Sequence, residues 1–97
     1  MKISEIIWLE DVVDKIGWKH HVSTKEVEEV LSRRPRIYFR EKRKRDPEEN
    51  VYVALGNTEA GRYLFVLFIY TPHQRALIIT ARDMTISEKK YYEKNRP

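Results

Sequence analysis

The sequence predicts an α+β domain: an antiparallel β-sheet with N-terminal helices and one C-terminal helix packed on it. Three observations lead there. Residues 63–70, YLFVLFIY, are eight consecutive apolar or aromatic residues. That is too short for a membrane helix, which needs about 20 residues, and the Val, Ile, Phe and Tyr content favours a central strand buried on both faces. Thr71-Pro72-His73-Gln74 then reads as a turn, Pro presetting φ at its second position, and a second β-branched apolar run follows at 76–81. Two capping boxes, Ser23 to Glu26 and Thr85 to Glu88, mark helix starts on either side of this strand-rich stretch.

The elements follow in order. Residues 3–9 make a short strand anchored by Trp8. Asp11 is placed to cap a first helix, with Asp14 in its first turn and Val12, Val13 and Ile16 at helical spacing; Gly17 weakens or ends it, and its last residue is His20. Ser23 opens the second helix, with Val22 and Val27 in the positions of a hydrophobic staple and Val27, Val30 and Leu31 as its apolar stripe. Pro35 closes it. Residues 36–40 read as an edge strand, 41–50 as a charged loop containing Pro47, and 51–55 as a third strand. Gly56 to Gly61 connects to the hairpin. The last helix runs from Thr85 to Tyr92 or Lys94, and Asn95, Arg96 and Pro97 should fray. The order is β-α-α-β-β-β-β-α, one domain over residues 1–97.

Ninety-seven residues support one modest core. There are no cysteines, which excludes disulfides, thiol catalysis and Cys-ligated zinc. The start is quickly acidic and carries no secretory pattern, so a soluble cytoplasmic protein without a membrane anchor is expected. Net charge is +4, and the isoelectric point is near 9.4. Residues 33–45 alone carry +7, from eight basic residues against Glu41, so the remainder is at −3. Charge concentrated in this way attracts a polyanion.

That basic segment is the first candidate site. Arg36, Arg40, Lys42, Arg43, Lys44 and Arg45 would bind the phosphates of RNA, and Tyr38 would stack on bases. The same charges also protect an edge strand from aggregation. Arg62 and Arg82 lie near the outer ends of the two hairpin arms, where antiparallel pairing would bring them to one hollow to clamp a phosphate; they could equally pair with Glu59, Asp83 or Glu88. His20 has the residue type of a general base, or of a cation at a helix C-terminus. Glu88 reads as a cap before it reads as a base. Tyr91 and Tyr92 could orient a substrate or simply pack. His20 and His21 do not share a helical face, so no metal site is expected.

The stretches WLEDVVDKIGWKHHVSTKEVEEVL, VALGNTEAGRYLFVLF and ALIITARDMTISEKKYYEK together resemble the BrnT family of type II toxins, whose fold is related to the RelE ribonucleases. The resemblance spans residues 8–93. Its most specific parts are Lys19-His20 before the capped second helix, Gly56 closing a strand, and Thr80-Ala81-Arg82 followed by Thr85, Glu88 and Tyr92. It implies a small cytoplasmic ribonuclease that stops translation by cleaving RNA without a metal or other cofactor. It also implies a cognate antitoxin that folds onto the toxin. Lys19, His20, Arg82, Glu88 and Tyr92 match recurrent polar positions, and Arg62 falls in the shared GRYLFV block. Two positions depart from the pattern. His21 stands where Gly commonly turns the helix off, and Val51 stands where many members carry Arg. These departures motivate the alternative expectation, a non-catalytic RNA- or protein-binding module.

Overall fold

The computed structural model describes residues 1–43 and 49–97. Its elements are β1 (Glu5–Ile7), α1 (Glu10–His20), α2 (Thr24–Ser32), β2 (Arg36–Lys42), β3 (Asn50–Asn57), β4 (Tyr63–Thr71), β5 (Arg75–Asp83) and α3 (Ile86–Lys94). The five strands form one sheet in the order β1-β5-β4-β3-β2. The apolar run is therefore the middle strand, as its missing polar face requires. Strands β2 to β5 are antiparallel, but β1 enters parallel to β5, so the sheet is not wholly antiparallel. Two helices separate β1 from the next strand in sequence, and nothing in the sequence of β1 shows which partner it takes.

The helices divide between the two faces. Ile16 of α1, Val27 and Val30 of α2, and Val22 between them pack with Ala54, Leu64, Val66, Phe68, Ala76, Ile78 and Ala81. On the other face Tyr92 of α3 packs with Val53, Leu55 and Phe65. Gly56 lets the first layer close: a Cβ there would lie 3.1 Å from Val30 Cγ1 and 3.3 Å from Pro35 Cβ. Trp8 packs at the edge of this core, and its indole N–H is buried without a partner among the described residues.

Several element ends depart from the expectations. Leu9, not Asp11, is the N-cap of α1, without a side-chain cap, and Asp11 lies in the first turn. Gly17 does not end α1; it lies on the solvent side, where a missing side chain loses no packing, and the helix runs on to His20. Its stop is His21, which is left-handed (φ 55°), and whose N–H donates to Gly17 O at 3.1 Å. This is the conformation that the Gly-for-His departure points to. Both capping boxes form as expected. Glu41, Lys42 and Asn50, expected in a loop, extend β2 and β3 instead, because the ladder continues past a bulge at Phe39/Glu41 to pair Lys42 with Asn50.

A second bulge decides where the site lies. In β4–β5, Phe68 pairs with Ile78 while Leu67 pairs with Thr80, leaving Ile79 as the extra residue. Strand side chains alternate, and one inserted residue reverses the alternation beyond it. Ala76 and Ile78 therefore face α1 and α2, as Ala81 does, and Arg82 points to the α3 side.

Candidate functional site

Arg62 and Arg82 do not share a hollow. Arg62 has the parity of Leu64, on the α1/α2 side, whereas Arg82 pairs with Phe65 on the α3 side. The expectation of one two-arginine clamp fails because of the residue inserted at Ile79.

Arg62 is fixed before its side chain begins. Its N–H donates to Thr58 Oγ1 at 3.0 Å, and its carbonyl accepts from the Thr58 N–H at 2.9 Å. The guanidinium then donates to both oxygens of Asp83 (2.8 and 3.1 Å), to both oxygens of Glu26 (3.2 Å each), and to the carbonyls of His20 (3.0 Å) and His21 (2.7 Å). All three of its nitrogens are engaged. It joins the C-terminus of α1, the capping box of α2 and the end of β5. The Asp83 hydrogen bonds raise the Arg62 pKa, and the same contacts hold Asp83 below the usual carboxylate range. Burial pushes Glu26 up, but the Ser23 N–H and Arg62 more than offset it. These contacts fasten the fold and occupy every nitrogen of the Arg62 guanidinium.

Arg82 has a different setting. Its Nη1 and Nη2 grip the two oxygens of Glu88 at 2.8 and 3.0 Å, and Nη1 also reaches Asp83 O at 3.0 Å. The guanidinium carbon lies 3.9 Å from the Phe65 ring centroid, a cation–π contact. Its side chain stays 31% exposed. Glu88 also accepts the Thr85 N–H at 2.8 Å as part of the capping box. The Arg82 hydrogen bond holds the Glu88 carboxyl below its ordinary range. Glu88 is thus engaged twice, as the cap of α3 and as the partner of Arg82, and both contacts favour its carboxylate form.

His20 ends α1 and is half-buried, its carbonyl held by Arg62. Burial lowers its pKa, and the charges of Lys19, Arg82 and Lys15 lower it further. Both influences favour the neutral imidazole, the form that can accept a proton. Lys19 beside it is exposed on the last turn. Tyr92 is buried in the α3-side core, edge-on to Tyr63 with ring centroids 6.0 Å apart. The structure places this predicted site residue in the core, packed on Val53, Leu55 and Phe65. Its neighbour Tyr91 is the exposed one, meeting Tyr38 edge-on at 5.9 Å. Sequence reading left these two tyrosines open.

The basic segment is spread out. Arg36 and Arg40 are exposed along β2, with Tyr38 between them, half-buried on the α3 side and paired with Val53. Burial, then Glu88, keeps the Tyr38 hydroxyl protonated by raising its pKa. Lys42 is exposed at the end of the strand, and Arg43 pairs with Glu49 at 2.9 Å. Lys44 and Arg45 lie outside the described residues. Val51 is buried, paired with Glu41 and Ile69, so the departure from Arg fills core volume. Among the described residues no three His, Asp or Glu side chains are grouped to hold a metal ion. A hollow of about 530 Å³ between Leu31, Pro35, Ile37 and the chain ends contains neither His20 nor Arg82, so size does not select the site.

A model of the family described as "Ribonuclease toxin, BrnT, of type II toxin-antitoxin system" matches residues 13–88. The chain belongs to the BrnT family of ribonuclease toxins. The match includes Lys19, His20, Arg62, Arg82 and Glu88. The crystal structure of the Brucella abortus ribonuclease toxin BrnT is similar, with a TM-score of 0.63 at 17% identity, over 84% of this chain and 96% of that one. At that identity the likeness establishes the shared fold. Comparison with curated proteins gave no match. Membership in BrnT implies RNA as the substrate class and an antitoxin as the partner, and supports the toxin reading over a non-catalytic module. No described helix is long and apolar enough to cross a membrane.

Proposed function

We propose that this BrnT chain cleaves RNA by transesterification without a metal ion, with His20, Lys19 and Arg82 as its working groups. The observation that carries the reading is the Arg82 guanidinium, anchored through two nitrogens on Glu88, lying over Phe65 and still part-exposed. His20 removes the proton of a ribose 2′-OH, and the oxygen attacks the adjacent phosphorus. Arg82 stabilises the added negative charge on the phosphoryl oxygens. Lys19 delivers a proton to the departing 5′ oxygen. The products are a 2′,3′-cyclic phosphate and a 5′-hydroxyl. Glu88 orients Arg82 and Arg62 orients the end of α1. Arg36, Arg40 and Lys42 attract the RNA backbone along β2.

Cleavage in the cytoplasm would stop translation, and a cognate antitoxin would restrain it by covering this surface. The test is incubation of the purified protein with single-stranded RNA in a chelator. Fragments with 2′,3′-cyclic phosphate ends are expected. Cleavage only after a divalent ion is restored, or fragments with other ends, would overturn the mechanism.

A further inference from the structure

Between β2 and α3 lies a groove of about 400 Å³ lined by Tyr38, Leu55, Ser87, Glu88 and Tyr91. It opens on the α3 side of the sheet, the side to which Arg82 points, and it shares Glu88 with that arginine. Its size falls in the range of small-molecule sites. Two rings form its walls, Tyr38 and Tyr91, edge-on at 5.9 Å, and Tyr91 is 39% exposed. Leu55 lies in it as a fully buried side chain of β3. The Ser87 hydroxyl offers one donor and two acceptors, and the Glu88 carboxylate offers acceptors. Cations lie on either side: Arg82 held by Glu88, and Arg36 and Arg40 flanking Tyr38 on β2.

We infer that this groove binds one nucleobase of single-stranded RNA, the base whose neighbouring phosphate rests on Arg82. The inference rests on the ribonuclease reading above and names where that substrate is read. A base is flat, apolar on its faces and polar at its edge. The groove has aromatic and aliphatic walls with a hydroxyl and a carboxylate among its lining groups, and a nucleotide's phosphate requires a cation within one sugar's reach of its base. Stacking on tyrosine tolerates every base. Selection would come from the Ser87 hydroxyl, which can accept from an exocyclic amino group or donate to a ring nitrogen or carbonyl. An extended acidic protein segment would find the same cations, but it has no use for an exposed tyrosine ring beside one of them.

The test uses the full chain and an RNA oligonucleotide with 2′-O-methyl riboses, which cannot be cleaved, together with its counterpart carrying one abasic position. Tyr91→Ala should weaken binding of the intact oligonucleotide roughly 5- to 150-fold, the span expected for loss of one base stack. Tyr91→Phe should restore it. Neither variant should alter binding of the abasic oligonucleotide bound with that position in the groove. Ser87→Ala should shift the set of sites cut in a long RNA without abolishing cutting. Equal binding of wild type and Tyr91→Ala to the intact oligonucleotide, with both variants folded by thermal melting, would overturn the inference. So would protection of Tyr38 and Tyr91 resonances by a protein partner but not by RNA. If the wild type binds in a Tyr91-dependent way yet cuts no RNA, the ribonuclease mechanism fails and the base site stands. If it cuts RNA and Tyr91→Ala cuts the same sites at the same rate, the base site fails and the mechanism stands.

Discussion

Arg62 and Arg82 make an instructive pair. Both sit at the ends of the central hairpin, and both hold a carboxylate through two nitrogens. Arg62 spends every nitrogen on the protein, including two carbonyls at the end of α1 that would otherwise face the helix terminus unpaired. Arg82 leaves its Nε without a protein acceptor among the described residues, lies over Phe65, and neighbours a depressed histidine and an open groove. An arginine whose donors are exhausted holds a fold together. One that is anchored on a single side can still take a ligand. Charge and position in the sequence do not separate the two cases; the count of uncommitted donors does.

The contrast can be broken most directly at Arg82. Arg82→Ala should lower the cleavage rate about 100- to 1000-fold, the usual loss on removing one transition-state donor, while circular dichroism stays native. Arg82→Lys should recover little, because an ammonium cannot keep Glu88 in two bonds and reach a phosphate as well. A fully active, folded Arg82→Ala protein would remove this residue from the chemistry.

Arg62→Met should do the reverse. Leaving Asp83 and Glu26 without their partner should cost about 3 kcal/mol of stability, read by urea denaturation. The folded state lowers the pKa of both carboxylates, so the stability they contribute is complete above their ordinary values of 3.8 and 4.5 and is lost as pH falls through the lowered values. Arg62→Met should flatten that acid limb. A stable Arg62→Met protein with no cleavage would reverse the assignment of the two arginines.

A smaller effect sharpens the comparison at His20. Its imidazole should titrate below 6.5 by NMR, and cleavage should fall as pH drops through that value and level off above it. In Arg82→Gln the titration should move up, because a nearby positive charge has gone. An unmoved titration would show that the two groups are not coupled. The smallest change is expected at His21→Gly, which should stabilise the chain by about 0.5 to 1 kcal/mol in thermal melts by relieving a left-handed non-glycine residue.

Much of this architecture was legible in the residues. Both capping boxes, the central strand and the Pro72 turn follow from local chemistry that acts within a few residues, and the left-handed position 21 was pointed to by the family resemblance. Three things did not. The partner of β1 is chosen by long-range packing. The bulge at Ile79 sits inside a β-branched run, ALIITA, where no Gly or Pro announces it; straight alternation from Ile78 would have put Arg82 on the face of Arg62. The choice between Tyr91 and Tyr92 depends on which of two adjacent helix positions meets Val53, Leu55 and Phe65. At the site, residue types were readable and side-chain directions were not.

Glu88 serves two masters with one carboxylate: it closes the first turn of α3 and it tethers the guanidinium of β5. An anionic guest that draws that guanidinium outward takes away one of the carboxylate's fixtures. The start of the terminal helix would then loosen in step with occupancy, so that amide exchange over residues 86–89 reports, from outside the cleft, how often the cleft is filled.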